Sequence, residues 1–255
     1  ELKSSDEKHS SLTDPDCRLM KNERRIEPAY SVQTAVDAQH SLVVDYELTQ
    51  DAAQRVESAT DNNHLSVIAQ QAKTMLNKEE LTVCADAGYY DTVDLKTCED
   101  HKITAYVPIP QQKVSKKTNT PTPEYYHDKF TYDPLTDTYD CPQGQTMHYH
   151  RTVKKPDGRR MRIYHTGSCQ QCAVRSVCTT AKKGRSIYRW EEQAVLDRLK
   201  QRLAHAPQIA SRRKAIIEHV FGTVKKIWGY GALLLRGINT VRSEIALMML
   251  TYNIR

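Results

Sequence analysis

The stretch LTVCADAGYY, residues 81–90, decides the fold of this chain. A short apolar run stops at Asp86, and the turn-forming pair Ala87-Gly88 follows it. A run of this kind, bounded by a turn signal, predicts a buried strand that delivers a carboxylate at its C-terminal end. A carboxylate in that place can serve chemistry, or it can simply cap the helix that comes next.

Strands and helices alternate on both sides of this stretch. Before it, β-rich runs at 29–37 and 41–48 predict an antiparallel hairpin, and apolar residues at helical spacing over 65–76 predict an amphipathic helix. After it come a second predicted helix, 91–101, and a further strand, 104–110. This order predicts an α/β fold whose later strands are parallel. Ligand sites in such sheets lie beyond the carboxyl ends of the strands, where the carboxylate of the opening stretch would be.

The chain changes character over residues 111–187, where Pro, Thr, Tyr, Gly and Lys dominate and the strand-like pieces are short. We expect a β-rich inserted segment with its own small sheet. It contains four cysteines spaced C-x27-C-x2-C-x5-C, which are Cys141, Cys169, Cys172 and Cys178. A C-x2-C pair brings two thiolates to one metal ion, and two further cysteines can complete a tetrahedral zinc site. Reduced thiols without a metal are the alternative.

Helical patterning returns at 190–205 and again in SRRKAIIEHVFGTVKKIW, residues 211–228. In the second segment, apolar residues at a spacing of three to four predict a buried stripe of Ile217, Val220, Val224 and Ile227. Lys214, Glu218 and Lys225 fall on an adjoining stripe, so that a single acid lies among bases at the edge of the core. An exposed ion pair between Lys214 and Glu218, four residues apart, is the alternative.

These patterns predict four consecutive parts: a linker, 1–28; the first part of an α/β core, 29–110; the β-rich insertion, 111–187; and the second part of the core, 188–255. The last helix, 240–255, is apolar on most sides and is therefore expected to be buried.

The charge is distributed unevenly along the chain. Residues 151–236 contain 20 Lys and Arg against 5 Asp and Glu, whereas the rest contains 17 against 26, which together give the net charge of +6. A basic block of this density suggests a polyanionic partner, with a merely solvated basic face as the alternative. No apolar run reaches the roughly 18 residues of a membrane span. The seven cysteines, without a signal peptide, favour thiols or a metal over a disulfide framework.

Asp86 and Glu218 come from distant positions, and together they can hold Mg²⁺, which prefers carboxylate and water oxygens. The strand order and CADAGYY (84–90) resemble the second-aspartate segment of DDE transposases from bacterial insertion sequences. RRKAIIEHVFGTVKK resembles their glutamate helix, with Lys214 four residues before the Glu and Lys225 seven after it. TDPDCRLMK, YSVQTAVD, the four cysteines and LLLRGINTVRSEIALMMLTYNIR resemble the subgroup that has a cysteine-bearing insertion.

The resemblance implies a ribonuclease H-like mixed sheet flanked by helices, and cleavage and joining of DNA strands at element ends with Mg²⁺ or Mn²⁺. Asp86 and Glu218 would be the catalytic metal ligands. The DNA-binding residues would be the basic residues of the glutamate helix, Arg212, Arg213, Lys214, Lys225 and Lys226. The partner would be double-stranded DNA. The full-length protein would act as a homodimer in the bacterial cytoplasm, associated with the nucleoid when bound to DNA.

Two features depart from the family pattern. Ser211 stands where the family has a tyrosine, and Lys214 where it usually has an arginine. The family's first aspartate, which ends a first strand and is followed by Gly-Thr, has no match in the opening residues, where Asp14 and Asp16 fit turns instead. The chain also begins with Glu1 rather than Met. We therefore expect the C-terminal portion of a longer transposase that lacks its first strand and is inactive alone.

Two other functions stay open. The chain can be a non-catalytic DNA-binding remnant, or a different nuclease on the same fold. Metal-dependent nicking would argue against the first, and cleavage of hybrids or junctions would favour the second.

Overall fold

The computed structural model of the chain describes residues 11–22, 25–49, 64–110 and 120–255. The chain forms two compact units. One combines the described residues up to Ile109 with Arg198–Arg255, and the other is Pro110–Asp197. Residues 1–10, expected to begin a linker, and 111–119, expected to begin the insertion, lie outside the described residues.

The expected linker contains a strand pair that the sequence did not indicate. β1 (Arg18–Asn22) and β2 (Arg25–Ala29) are antiparallel, with Leu19 opposite Pro28. Proline and the surrounding charges act as breaker signals in a sequence. A two-stranded ribbon tolerates proline nevertheless, because the missing N–H can belong to an outer edge. The linker prediction therefore does not hold for this part of 1–28.

The predicted hairpin is confirmed by β3 (Ser31–Val36) and β4 (Val43–Thr49), which pair antiparallel. Its turn is closed by Asp37, whose carboxylate accepts the backbone N–H of His40 at 2.9 Å. Short acidic side chains favour such turns because they bond to the backbone a few residues ahead. The predicted first helix is α1 (Leu65–Met75), and it packs against both strands.

The opening stretch forms β5 (Leu81–Cys84), which pairs in parallel with β6 (Ile103–Tyr106) through the crossover helix α2 (Thr92–Asp100). These elements confirm the predicted β-α-β order. Asp94 of α2 is buried and accepts the backbone N–H of Leu65 at 3.0 Å. It therefore caps the first turn of α1 from a neighbouring helix.

The strands of this unit form separate two-stranded sheets, β1–β2, β3–β4 and β5–β6. Within the described part of the chain, no strand joins the hairpin to the parallel pair. Both pairs nevertheless contact α1. The hydroxyl of Tyr89, just after β5, also donates to the side-chain carbonyl of Gln33 on β3. The α/β class is thus confirmed, while a continuous mixed sheet is not present among the described residues.

The second unit is built on one antiparallel sheet in which each strand pairs with the next along the chain. Its strands are β7 (Thr131–Asp133), β8 (Thr138–Asp140), β9 (Thr146–Lys154), β10 (Arg160–His165) and β11 (Ser186–Trp190). The short helix α3 (Arg175–Cys178) lies between the last two. A mainly aromatic cluster forms its core, with buried Phe130, Tyr139, Met147, Tyr164 and Ile187.

Three helices complete the chain, α4 (Gln193–His205), α5 (Gln208–Gly222) and α6 (Ile238–Ile254). The last two pack with β4 in one apolar cluster of buried residues: Val43, Leu48, Val220, Val224, Val241, Ile245, Met248, Met249 and Tyr252. The predicted buried stripe of the 211–228 segment is therefore confirmed at Val220 and Val224.

The last helix is less buried than its composition suggested. Leu247, Leu250 and Ile254 recur at helical spacing and are exposed. A helix that is apolar on most sides needs packing partners on all of them, and these side chains have none that bury them among the described residues. None of the helices described in this chain has both the length and the apolar content of a membrane span.

Candidate functional site

Asp86 lies two residues beyond the end of β5, as predicted. Its carboxylate accepts the backbone N–H of Gly88 at 2.8 Å and thereby caps the 3-10 turn Ala87–Tyr89. Asp86 therefore acts as a cap, which was the alternative interpretation of its position. The side chain remains 47% exposed, so capping leaves much of the carboxylate open to solvent.

The N-terminal half of α5 lies against this end of β5. The Sγ of Cys84 donates to the carbonyl of Ile209 at 3.6 Å, and an Nη of Arg213 lies 3.7 Å from an Oδ of Asp86. Burial raises the pKa of the Cys84 thiol, and the nearby Arg213 partly opposes that rise. A base of α5, Arg213, therefore lies beside Asp86.

Glu218 lies further along α5. Its side chain is 66% exposed, and its carboxylate is 3.7 Å from the Nζ of Lys214, which is 69% exposed. The exposed ion pair between Lys214 and Glu218, the alternative interpretation of this stripe, is therefore present. Five residues of α-helix rise about 7.5 Å and turn by about 140°. Glu218 consequently projects from another side of α5 than Arg213 does, and each of the two acids has its own basic neighbour.

A π-helical turn, Thr223–Ile227, extends α5 and changes its periodicity. The backbone N–H of Trp228 donates to the carbonyl of Thr223 at 3.0 Å, five residues back. The wider turn takes Ile227 off the predicted buried stripe, and its side chain is 68% exposed. Turns of this kind are rare and are often found at functional sites.

The predicted DNA-binding residues differ in their accessibility. Arg212, Lys214, Lys225 and Lys226 are exposed, whereas the side chain of Arg213 is three-quarters buried beside Asp86. The side chain of Ser211 lies outside what the structure describes. Four cations on one helix and its π-helical extension are thus exposed where a phosphate backbone could reach them.

Two acids that the sequence indicated only as turn residues hold the start of α6. Asp14 is buried and accepts hydrogen bonds from the Tyr30 hydroxyl at 2.8 Å and from the Gly237 N–H at 3.3 Å. Asp16 accepts the N–H of Ile238 at 2.9 Å. Burial, followed by the bond to Asp14, raises the pKa of Tyr30 well above its ordinary value. No local sequence signal could indicate the bonds to Gly237 and Ile238, because each joins residues more than 200 positions apart.

A third buried acid fixes the loop before α6. The carboxylate of Glu244 accepts the backbone N–H groups of Leu234 and Leu235 at 2.8 and 2.9 Å. These hydrogen bonds explain how an acid is accommodated on the buried side of an apolar helix.

The described residues include several carboxylates with structural roles, but these carboxylates do not form a metal-binding cluster. Among the residues that the structure describes, no group of three or more His, Cys, Asp or Glu side chains is already arranged to hold a metal ion. Asp86 and Glu218 are only two acids, and each lies beside a cation.

Comparison with known proteins adds one positive finding. Residues 140–255 match the family model described as Transposase DDE domain. The matched segment begins beside Cys141 and includes Glu218, whereas Asp86 lies outside it. No curated protein and no solved structure matches the chain. The match covers just under half of the chain and supports a DDE transposase.

Proposed function

We propose that this chain takes part in DNA strand cleavage and strand transfer at the ends of a bacterial insertion sequence, by Mg²⁺-dependent phosphodiester chemistry. One observation carries the proposal. The helix that contains Glu218 lies within the segment that matches the transposase domain, and it contacts the end of β5 that presents Asp86.

Asp86 and Glu218 suit a hard cation, because both carboxylates are substantially exposed and Mg²⁺ prefers oxygen ligands. We propose them as its ligands, which would require each carboxylate to leave its basic neighbour and Glu218 to turn towards Asp86. When bound, such an ion activates water at one side of a phosphodiester and stabilises the leaving oxygen at the other. The protein's own part is to hold the DNA and to position these acids.

The exposed bases Arg212, Lys214, Lys225 and Lys226 would contact backbone phosphates. Such contacts fix the position of a duplex without reading its sequence. They place the phosphodiester next to the helix that contains Glu218.

We further propose that the active sheet includes one more strand, between β3 and β5. Both strand pairs contact α1, and Tyr89 links the end of β5 to Gln33 on β3. Backbone groups on strand edges need partners, and an intervening strand would supply them for both pairs. That strand would complete a ribonuclease H-like mixed sheet and bring a further aspartate beside Asp86. Without it, we expect the described part of the chain to be inactive.

The test is metal-dependent nicking of supercoiled DNA by protein expressed with any sequence encoded upstream. We expect nicking with Mg²⁺ or Mn²⁺, and its loss in Asp86→Asn and in Glu218→Gln. Glu79→Gln, an exposed acid outside the site, is the matched control and should nick normally. Nicking that persists unchanged in Glu218→Gln would exclude the role assigned to that residue.

A non-catalytic DNA-binding remnant is the second candidate, and the basic neighbours of both acids favour it. It predicts salt-dependent DNA binding without any nicking by the same protein. A nuclease of another class would instead cleave hybrids or junctions in preference to element ends.

A further inference from the structure

The four cysteines of the second unit occupy one end of its sheet. Cys141 directly follows β8, and Cys169 follows β10 after a short turn. β8 and β10 end on the same side, because Asp140 pairs with Thr146 and His165 pairs with His148, both near the start of β9. Strand pairing alone therefore brings these two distant cysteines to the same edge.

Cys141 begins a tight turn of the kind that surrounds metal-bound sulfur. The Gly144 N–H donates to the Cys141 carbonyl at 2.8 Å, and the Gln145 N–H points at the Cys141 Sγ at 3.4 Å. Gly144 has φ +70°, which favours glycine at this position. An amide aimed at sulfur orients it and would remain as its hydrogen-bond donor when a metal is bound.

The other three cysteines lie on a second turn. Cys169 is within the 3-10 helix Gly167–Gln171, Cys172 ends that helix, and Cys178 ends α3. The carbonyl of Cys172 accepts the N–H of Arg175 at 3.1 Å, which holds the spacing between the C-x2-C pair and the last cysteine.

The two turns converge on the same core. Cys141 and Cys178 both pack against the aromatic cluster of the second unit. The Cys178 thiol, whose pKa burial raises, lies near enough to Cys169, Cys172 and Cys141 for a charge on any of them to act on it.

The loop after α3 packs closely against Cys169. A side chain at Gly184 would place its Cβ 2.4 Å from the Cβ of Cys169, so only glycine fits there. Arg185 lies beside Cys178 and lowers its thiol pKa. The Arg185 Nε is buried, and it has no hydrogen-bond partner among the described residues. A cation whose Nε is buried without a hydrogen-bond partner among the described residues, beside one of these thiols, suits a site that becomes anionic.

We propose that Cys141, Cys169, Cys172 and Cys178 bind one structural Zn²⁺. Four thiols would release four protons on binding, and the tetrathiolate centre would carry a net charge of −2, which Arg185 partly neutralises. The sulfurs are not already closed around a point among the described residues, so these four residues would have to move closer together to hold the ion. The site is independent of the proposed chemistry on DNA and serves to fix the second unit.

The experiment is metal analysis of the full chain purified under reducing conditions. We expect about one zinc per chain, lost on denaturation with a chelator, and four thiols that react with a thiol reagent only after the metal is removed. Cys172→Ser should lose the zinc. Cys84→Ser, a cysteine of the first unit, should retain it and is the matched control.

Reconstitution with Co²⁺ provides a second readout that does not depend on the stability of any variant. Thiolate ligation gives a charge-transfer absorption that thiols alone cannot give. A chain with intact free thiols that neither contains zinc nor develops this absorption would overturn the proposal, and so would a disulfide within the group.

Discussion

At the scale of single residues, the two candidate acids keep their structural roles and remain open to a ligand. Asp86 uses one oxygen to cap a turn, while the other faces Arg213 at 3.7 Å. Glu218 faces Lys214 at the same separation, with both side chains mostly exposed. An exposed pair such as Glu218–Lys214 contributes only about 0.2–1 kcal/mol, so a divalent cation can displace Lys214 at small cost. Arg213 is three-quarters buried, but at 3.7 Å it makes only a long ion pair with Asp86.

We predict that Arg213→Gln strengthens divalent cation binding, because it removes the positive charge that competes for Asp86. An ion pair of this strength corresponds to a gain in affinity of up to about fivefold. Titration with Mn²⁺, followed by electron paramagnetic resonance of the free ion, measures it directly. Arg212→Gln removes the same charge from an exposed neighbour and should change the affinity less. Equal affinities in both variants would show that Arg213 does not compete with the cation.

At the scale of elements, α6 begins where carboxylates from the start of the chain meet it. We predict that Asp16→Ala destabilises this helix start by about 0.5–2 kcal/mol, because the side-chain acceptor for the Ile238 N–H is lost. Amide hydrogen exchange at Ile238 should accelerate. Asp16→Asn retains a side-chain oxygen, so its effect should be smaller, and similar exchange in both variants would contradict the capping role.

A second element-scale prediction concerns the contact between α2 and α4. Burial alone raises the pKa of Glu99, but hydrogen bonds from Arg198 and Arg202 outweigh it, so the pKa lies below its ordinary value. The carboxylate is then more acidic in the folded state than in the unfolded state. Its contribution to stability is present above the unfolded pKa of about 4.3 and disappears as the pH falls through the folded-state value.

Glu99→Gln should therefore lower the free energy of unfolding by about 1–3 kcal/mol at neutral pH and by progressively less below about pH 4.3. Urea denaturation at several pH values measures the difference. Asp100→Asn breaks an exposed pair with Lys96 and should cost less than about 0.5 kcal/mol, which makes it a suitable control. If the loss of unfolding free energy in Glu99→Gln were the same at every pH, the cause would be altered packing rather than the lost charge.

Elements defined by local periodicity could be predicted from the sequence, and those that depend on distant partners could not. The hairpin, α1 and the parallel pair follow from spacing of apolar residues within a few positions. The β1–β2 ribbon, the π-helical turn and the buried caps of α6 depend on pairing or packing that no short window contains. The position of Asp86 beyond the end of β5 was predictable, whereas the approach of Arg213 to Asp86 requires the packing of α5 on β5.

At the scale of the whole molecule, the uneven charge makes DNA binding a measurable electrostatic property. Residues 151–236 have a net charge of +15, from 20 bases and 5 acids, and they include Lys225 and Lys226 on the π-helical turn. Each phosphate contact releases counterions, so the logarithm of the binding constant falls linearly with the logarithm of salt concentration.

Replacing both Lys225 and Lys226 with Gln should weaken binding to duplexes of any sequence and reduce the magnitude of that slope by about 2, since each lysine on a phosphate contributes about 1. Fluorescence anisotropy with two unrelated duplexes, over a series of salt concentrations, provides the measurement. The same exchange at Lys78 and Lys102, exposed lysines outside the basic block, removes equal charge and should leave the slope nearly unchanged. If both double variants reduced the slope alike, binding would follow net charge alone. A smaller slope in the Lys225 and Lys226 double variant alone would locate the DNA on the helix that also presents Glu218.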